Sequence, residues 1–319
     1  MLATPAESAL PGSLRVSVIV PCHDEELTVA KVVSDFLEQP GVVEVVVVDN
    51  NSTDRTADVA RSAGARVVSE SRPGKGFALT TGLRVARPSD FYAMVDGDDT
   101  YPAEVLPELV ACAGRGSDMV IGTRLATTAH GAFRPGHDLG NRLFILVVRL
   151  LFRLRTRDLF SGYRVLSRRF VETVPLLARG FELELELSLQ ALSNGYRVHE
   201  YPIQYRSRPE GSASKLRTFV DGYRILTALV LFFRDYRPMT FFGLLSAALI
   251  AASLAFGSIV IRGYLETGLV NRLPMAVLSA ALFLLGGLSF TAGALLSSIN
   301  RRAAELRDLV GRRGHRSVD

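Results

Sequence analysis

The stretch FYAMVDGDDTYP, residues 91–102, joins a short apolar strand pattern to three carboxylates, Asp96, Asp98 and Asp99. Carboxylates this close repel one another, and burying one without a partner is costly, so the cluster implies a cation. Hard divalent cations such as Mg²⁺ or Mn²⁺ take oxygen ligands, often one or two protein carboxylates together with substrate phosphates. An Asp-x-Asp pair at a strand tip supplies that arrangement, although an acidic surface turn is the plainer alternative for these letters alone.

Strand-like and helix-like patterns alternate on both sides of this stretch. The predicted strands are residues 15–21, 43–49, 65–70, 91–96 and 118–123, and the predicted helices are residues 26–38, 54–63, 76–86 and 103–113. Nearly continuous apolar strands joined by helices predict an α/β fold with a mostly parallel sheet that is covered on both faces. Ligands of such sheets bind beyond the carboxyl ends of the strands, which is where the polar motifs fall.

Three later segments are less clear-cut. Residues 181–195 begin with strand-like alternation, but their length and the Asn-Gly that ends them favour a helix, with a strand following at 197–206. Residues 141–155 and 215–234 are amphipathic and rich in basic side chains, which suits a membrane interface. Ordinary domain helices with a solvated edge are the alternative for these two.

Two long runs near the C-terminus, residues 239–261 and 273–299, contain no charged residue. Each exceeds the roughly 20 residues that cross a bilayer as a helix, and the link between them is short. The pattern therefore predicts a two-helix transmembrane hairpin, with a pair of buried helices in a soluble core as the alternative.

Arginines flank the two apolar runs unequally. The link carries Arg262 and Arg272, whereas the outer flanks carry Arg224, Arg234, Arg237, Arg301, Arg302, Arg307, Arg312 and Arg313. The positive-inside rule then places both termini and the N-terminal domain in the cytoplasm, at the inner membrane. A net charge of +5 suits nucleic acid, an anionic membrane or a phosphate-bearing substrate, and two cysteines provide no disulfide framework. Residues 1–14 show no signal-peptide pattern and are expected to be a disordered lead.

Further polar motifs follow the first strands. They are VPCHDEE at 20–26, VVDNNSTDRTAD at 47–58 and PGKG at 73–76. Helix capping explains much of each motif, but it explains less well why Asp49 stands at a strand tip that faces the ligand crevice.

The order VPCHDEE, VVDNNSTD, PGKG, DGDD, IGTR, DLFSGYR and RPEGSASK resembles the family 2 glycosyltransferases, and more narrowly their polyprenyl-phosphate glycosyltransferase and dolichol-phosphate mannose synthase group. The resemblance covers about residues 15–238, and the C-terminal hairpin is similar to that of bacterial members. It implies a Rossmann-like GT-A catalytic domain over 15–214 and an amphipathic interfacial helix over 215–238. Two transmembrane helices within 239–299 and a basic cytoplasmic tail over 300–319 would follow.

The resemblance also implies roles for individual residues. The nucleotide would be bound by Pro21, His23, Glu25, Val47, Asp49, Lys75, Gly76, Asp96, Gly97, Asp98, Arg208 and Lys215. Mg²⁺ or Mn²⁺ would be held by Asp96 and Asp98, and the acceptor phosphate would be received by Arg124, Ser161 and Arg164. The catalytic residues would be Asp96, Asp98 and Asp158, with the role of Asp158 as a base left open. The chain departs from the pattern at His23 and Thr100, which replace a Tyr and a Gln, and in a loop one residue longer before Lys215.

The implied activity is metal-dependent, inverting transfer of a hexosyl group from a nucleotide sugar to membrane-borne polyprenyl monophosphate. UDP-glucose, GDP-mannose and a UDP-N-acetylhexosamine all remain open as donors. A phosphate monoester has its second pKa near ~6 and is mostly a dianion at neutral pH, so no general base is required. An inactive membrane-tethered scaffold that binds nucleotide sugars is one alternative, and a polysaccharide synthase is another, although the chain has no Trp for its usual motif. Two spans are too few for a transporter in one chain. No nucleic acid partner is expected, and a homo-oligomer is left open.

Overall fold

The computed structural model describes residues 14–124, 148, 152, 158–176, 180, 182–209, 227 and 229–315. The chain divides into two compact units, Met1–Ile225 and Leu226–Asp319. Several predictions lie wholly or mostly outside the described residues: the lead before residue 14, Lys215, and most of the amphipathic segments 141–155 and 215–234.

Seven strands of the first unit form one sheet in the order β3-β2-β1-β4-β6-β5-β7. The strands are β1 (Val16–Cys22), β2 (Val42–Asp49), β3 (Arg66–Ser69), β4 (Phe91–Met94), β5 (Met119–Arg124), β6 (Arg164–Ser167) and β7 (Val198–Ile203). Strand β6 runs antiparallel to its neighbours β4 and β5, and the other paired strands are parallel. The predicted α/β fold with a mostly parallel sheet is confirmed.

Helices cover both faces of this sheet. In chain order they are α1 (Val29–Leu37), α2 (Thr56–Ser62), α3 (Lys75–Val85), α4 (Leu106–Gly114), α5 (Arg168–Thr173) and α6 (Leu183–Ser193). A short 3₁₀ turn, Ala103–Val105, precedes α4. Most of the ambiguous segment 181–195 forms the helix Leu183–Ser193, as predicted. Strand β4 ends at Met94, so the acidic residues after it lie in a loop and not at the last position of the strand.

The continuous apolar runs of β1 and β2 exist because both faces of these strands are buried. On β1, Val18 and Val20 pack into one core cluster, while Ile19 between them packs into the other. Successive side chains of a strand point to opposite faces, so a strand between two helical layers needs apolar residues at every position.

Strand β6 and helix α5 were not among the elements predicted from the sequence. The strand has four residues, begins with a charged one and is buried at its first three positions. A strand this short, with Arg at its start, shows no period that could separate it from a loop. Strand β6 forms because it pairs with β4 and β5, which lie far from it in the sequence.

The second unit contains α7 (Pro238–Thr267) and α8 (Leu273–His315), two helices that are long and apolar enough to cross a membrane. They pack through small side chains. The hydroxyls of Ser253 and Ser279 each donate to the other residue's carbonyl oxygen at 2.8 Å. Because α8 runs on to His315, the predicted basic tail begins as a continuation of this helix.

Candidate active site

The polar motifs meet at one edge of the sheet. The parallel strands end there, and β6 starts there. In the ladder Cys22 lies opposite Asp49, and Met94 lies opposite Arg164. The loops after β1, β2, β3 and β4 and the turn before β6 therefore converge, as expected for the ligand crevice of an α/β sheet.

Asp96 belongs to a partly buried ion-pair cluster. The ammonium of Lys75, at the start of α3, lies 2.5 Å from Asp96 Oδ1 and 2.5 Å from Glu184 Oε1. Burial alone would lower the pKa of Lys75, but the two carboxylates outweigh it and raise the pKa well above its usual value. Lys75 is thus a permanent cation between two acids. Glu184, on α6, was not among the predicted site residues.

Two glycines allow close packing around the acidic loop. A Cβ on Gly162 would overlap the carboxylate of Asp96, and a Cβ on Gly97 would lie 2.6 Å from Cys22 Sγ. The carbonyl of Gly97 accepts a hydrogen bond from Thr28 Oγ1 at 2.6 Å. The backbone before β6 therefore lies directly against the carboxylate of Asp96, where any larger residue would displace it.

Asp98 and Asp99 are adjacent but face different partners. Asp98 is 2% exposed; its Oδ1 accepts from the hydroxyl of Thr100 at 2.5 Å, and its Oδ2 lies 2.6 Å from Arg208 Nη2. Asp99 has a φ of 55° and pairs with Lys31 at 2.8 Å. Each of the three carboxylates is thus matched by its own protein cation.

The predicted nucleoside residues gather around the ends of β1 and β2. The Oδ1 of Asp49 accepts from the backbone N–H of Ser52 at 3.2 Å, and the ring Nδ1 of His23 lies 2.9 Å from the carbonyl oxygen of Asn50. Pro21 and Glu25 are half-buried in the same loops, whereas Gly76 is buried in the first turn of α3. The side chain of Val47 is fully buried in the sheet core, so it packs beneath the strand ends and leaves no exposed surface for a nucleotide.

Arg124 and Asp158 form a two-pronged ion pair on the other side of the acidic loop. The guanidinium of Arg124 donates to the Asp158 carboxylate through Nε at 2.7 Å and through Nη2 at 2.8 Å. The backbone N–H of Arg124 donates to the same carboxylate at 3.1 Å. Burial would raise the pKa of Asp158, but the guanidinium of Arg124 overcomes this and holds the pKa below its usual range. Asp158 is therefore an ionised anchor for Arg124 at neutral pH.

Ser161 and Arg164 are turned into the fold. The hydroxyl of Ser161 donates to the carbonyl of Gly122 at 2.5 Å. The fully buried guanidinium of Arg164 donates to the carbonyls of Leu159 at 2.8 Å and Ser161 at 3.1 Å, and to Ser188 Oγ at 2.9 Å. Burial lowers the pKa of Arg164, although the nearby carboxylates of Glu184 and Asp158 act in the opposite direction. Ser161 and Arg164 therefore direct their hydrogen bonds to groups of the protein, and not towards the acceptor phosphate that the resemblance assigned to them; such contacts suit residues that hold the turn in shape.

Comparison with known proteins identifies the class. A sequence profile described as Glycosyl transferase family 2 matches residues 17–174. Glycosyltransferase AglJ of Haloferax volcanii is 30% identical over 277 residues, which are 87% of this chain and 91% of the relative. The chain belongs to glycosyl transferase family 2, and it is a glycosyltransferase that uses a nucleotide sugar.

Two further similarities refine this assignment. The dolichyl-phosphate hexose transferase of Haloferax volcanii is 31% identical over 216 residues, covering 67% of this chain and 92% of the relative. Among solved structures, glucosyl-3-phosphoglycerate synthase from Mycobacterium tuberculosis in complex with Mn²⁺ and UDP-glucose matches with a TM-score of 0.57 and 25% identity. That match covers 69% of this chain and 79% of the synthase. The predicted GT-A fold is confirmed.

Proposed function

We propose that this glycosyltransferase moves a hexosyl group from a nucleotide sugar to a polyprenyl monophosphate, with inversion at the anomeric carbon and with Mg²⁺ or Mn²⁺. The observation that carries the proposal is the pair Asp96 and Asp98, set at the strand-end crevice among the cations Lys75 and Arg208. The similar dolichyl-phosphate hexose transferase and the apolar helices α7 and α8 support a lipid-linked acceptor.

The side chains of Asp96 and Asp98 fit a hard divalent cation, because carboxylate oxygens are its preferred ligands. Within the part of the chain that the structure describes, no three His, Cys, Asp or Glu side chains form a metal group by themselves. Diphosphate oxygens of the donor would complete the shell. When bound, the cation would neutralise charge on the departing diphosphate. Lys75 and Arg208 add fixed positive charge at the same place and would draw the donor's diphosphate towards the acidic pair.

Acceptor activation needs little from the protein. A lipid phosphate is mostly a dianion at neutral pH and is itself a nucleophile. Asp158, ionised and held by Arg124, serves to aim that guanidinium and not to remove a proton. Arg124 is the acceptor-phosphate residue in this proposal, while Ser161 and Arg164 shape the turn beneath it.

The two apolar helices would span the inner membrane as a hairpin, with the catalytic domain and both termini on the cytoplasmic side. The link holds Arg262 and Arg272, and the flanks hold more arginines, which is the asymmetry that sets orientation. Such an anchor would keep the catalytic domain beside the leaflet that contains the lipid phosphate.

A donor panel tests this function. Full-length protein in detergent would be incubated with undecaprenyl phosphate and with UDP-glucose, GDP-mannose or UDP-N-acetylglucosamine. The mass of the lipid product would then be measured by mass spectrometry. We expect one donor to give a polyprenyl-phosphate sugar, and we expect EDTA to abolish the formation of this product. Failure of every donor would favour the nucleotide-sugar-binding scaffold.

The substitution Asp98→Asn tests the metal assignment in the same assay. It should lower transfer about a hundredfold or more, because an amide binds a divalent cation far more weakly than a carboxylate does. The matched control is Asp58→Asn, which alters an exposed carboxylate that is paired with Arg61 on α2 and should leave the rate unchanged. Full turnover in metal-free buffer would refute the metal requirement.

A further inference from the structure

Asn50 directly follows β2, beside Asp49, and only 8% of its surface is exposed. Its Oδ1 accepts from the backbone N–H of Gly74 at 2.7 Å, and its Nδ2 donates to the carbonyls of Glu70 at 2.9 Å and Arg72 at 2.7 Å. One side-chain amide therefore satisfies three backbone groups of the loop that joins β3 to α3.

The backbone of Asn50 is bound to a second loop. Its N–H donates to the carbonyl of Cys22 at 2.8 Å, and its carbonyl oxygen lies 2.9 Å from His23 Nδ1. Asn50 thus connects the loop after β1 with the loop before α3, two segments that do not adjoin each other in sequence.

The start of α3 depends on this connection. Gly74 has a φ of 133°, a conformation that favours glycine, and the next residue is Lys75. Lys75 then spans Asp96 and Glu184. Holding the N–H of Gly74 sets where the helix begins, and so sets where the ammonium of Lys75 lies relative to Asp96.

We propose that Asn50 is a positioning residue of the donor site, which couples the nucleoside side, at His23 and Asp49, to the diphosphate side, at Lys75 and Asp96. It acts through backbone groups and does not touch the substrate. The inference rests on the donor site proposed above and adds a residue to which the family resemblance gave no role.

Calorimetry with the full-length protein tests the proposal, using Mn²⁺ together with UDP or GDP, whichever of the two the unaltered protein binds. For Asn50→Ala, the nucleotide Kd should rise about ten- to a hundredfold, because three backbone groups lose their partner. Asn50→Asp is nearly isosteric and can still accept from Gly74, but it loses both donated hydrogen bonds and sets a carboxylate oxygen against the two carbonyls, so its Kd should rise at least about tenfold. The matched control is Asn51→Gly, which keeps the positive φ of 61° and removes one exposed hydrogen bond to Ser71; its Kd should stay within twofold.

Two further readouts separate positioning from simple stabilisation. The donor KM should follow the Kd while the lipid-phosphate KM stays within twofold of the unaltered protein's. The effects of Asn50→Asp and Lys75→Gln on Kd should be clearly less than additive, since the first acts partly through the second residue. Fully additive effects, or an unchanged Kd with only less folded protein, would overturn the proposal. Because nucleotide binding is measured without lipid, a wrong acceptor assignment would leave this result interpretable.

Discussion

At the scale of single residues, Arg164 shows how an arginine can serve the site without touching a ligand. Its guanidinium is fully buried and donates to two carbonyls of the turn that contains Leu159 and Ser161. A buried charge is tolerated because its N–H groups have hydrogen-bond partners, and these same hydrogen bonds help to hold the turn.

Arg164→Ala should therefore act first on stability. It leaves two buried carbonyls and Ser188 without their partner and opens a cavity, so the free energy of unfolding should fall by about 3 kcal/mol or more. Thermal unfolding in detergent measures this. The control Arg168→Ala removes an exposed pair with Glu172 and should change stability by at most about 0.5 kcal/mol. Unchanged stability with a raised lipid-phosphate KM would instead return Arg164 to the acceptor site.

At the scale of elements, α7 and α8 pack where their side chains are small. A Cβ on Gly286 would lie 2.7 Å from Ile250 Cγ1 and 3.3 Å from the carbonyl of Ser246, whereas a Cβ on Gly287 would meet nothing within 4 Å. Without water to drive association, helices in a bilayer rely on this close approach.

The neighbouring glycines give a matched pair of substitutions. Gly286→Val should push the helices apart and lower the stability of the hairpin by about 1–3 kcal/mol, as overpacking does. Gly287→Val changes helix propensity equally, but its side chain points into open space. The melting temperature of this variant should therefore be close to that of the unaltered protein. The melting temperature of each variant in detergent is the measurement, and equal losses in both would contradict the observed packing.

For the molecule as a whole, the main surface feature is the set of exposed apolar side chains on the second unit. Leu254 is 63% exposed in the middle of α7, and Leu265 is 78% exposed near its end. Large apolar side chains exposed along two long helices indicate membrane association.

Leu254→Arg tests the membrane placement in the intact chain. A charge at the centre of a spanning helix costs about 2.5–3.5 kcal/mol, so less protein should remain in the membrane after alkaline extraction. Leu265→Arg puts the same charge near the helix end, where it can reach the interface, and should leave the membrane fraction unchanged. If both variants stay fully membrane-bound, α7 does not span the bilayer at that depth.

The pattern of consecutive residues was enough to predict many of the strands and helices of this protein. The apolar strands β1 and β2 and the uncharged runs of α7 and α8 are visible in the sequence, because burial on two sides and contact with lipid each impose a composition on consecutive residues. The acidic pair could be placed because Asp96 and Asp98 follow a strand, and the carboxyl ends of parallel strands meet at one edge.

The partners of these residues depend on contacts between distant parts of the chain. Lys75 and Glu184 are 109 positions apart in the chain, and Asn50 reaches Gly74 across 24. No local period encodes such contacts, since they depend on where the sheet brings its loops together. The same holds for β6, whose four residues are a strand only because β4 and β5 lie on either side. Its first residue, Arg164, is buried because its side chain packs against Leu159 and against Ser188 of α6.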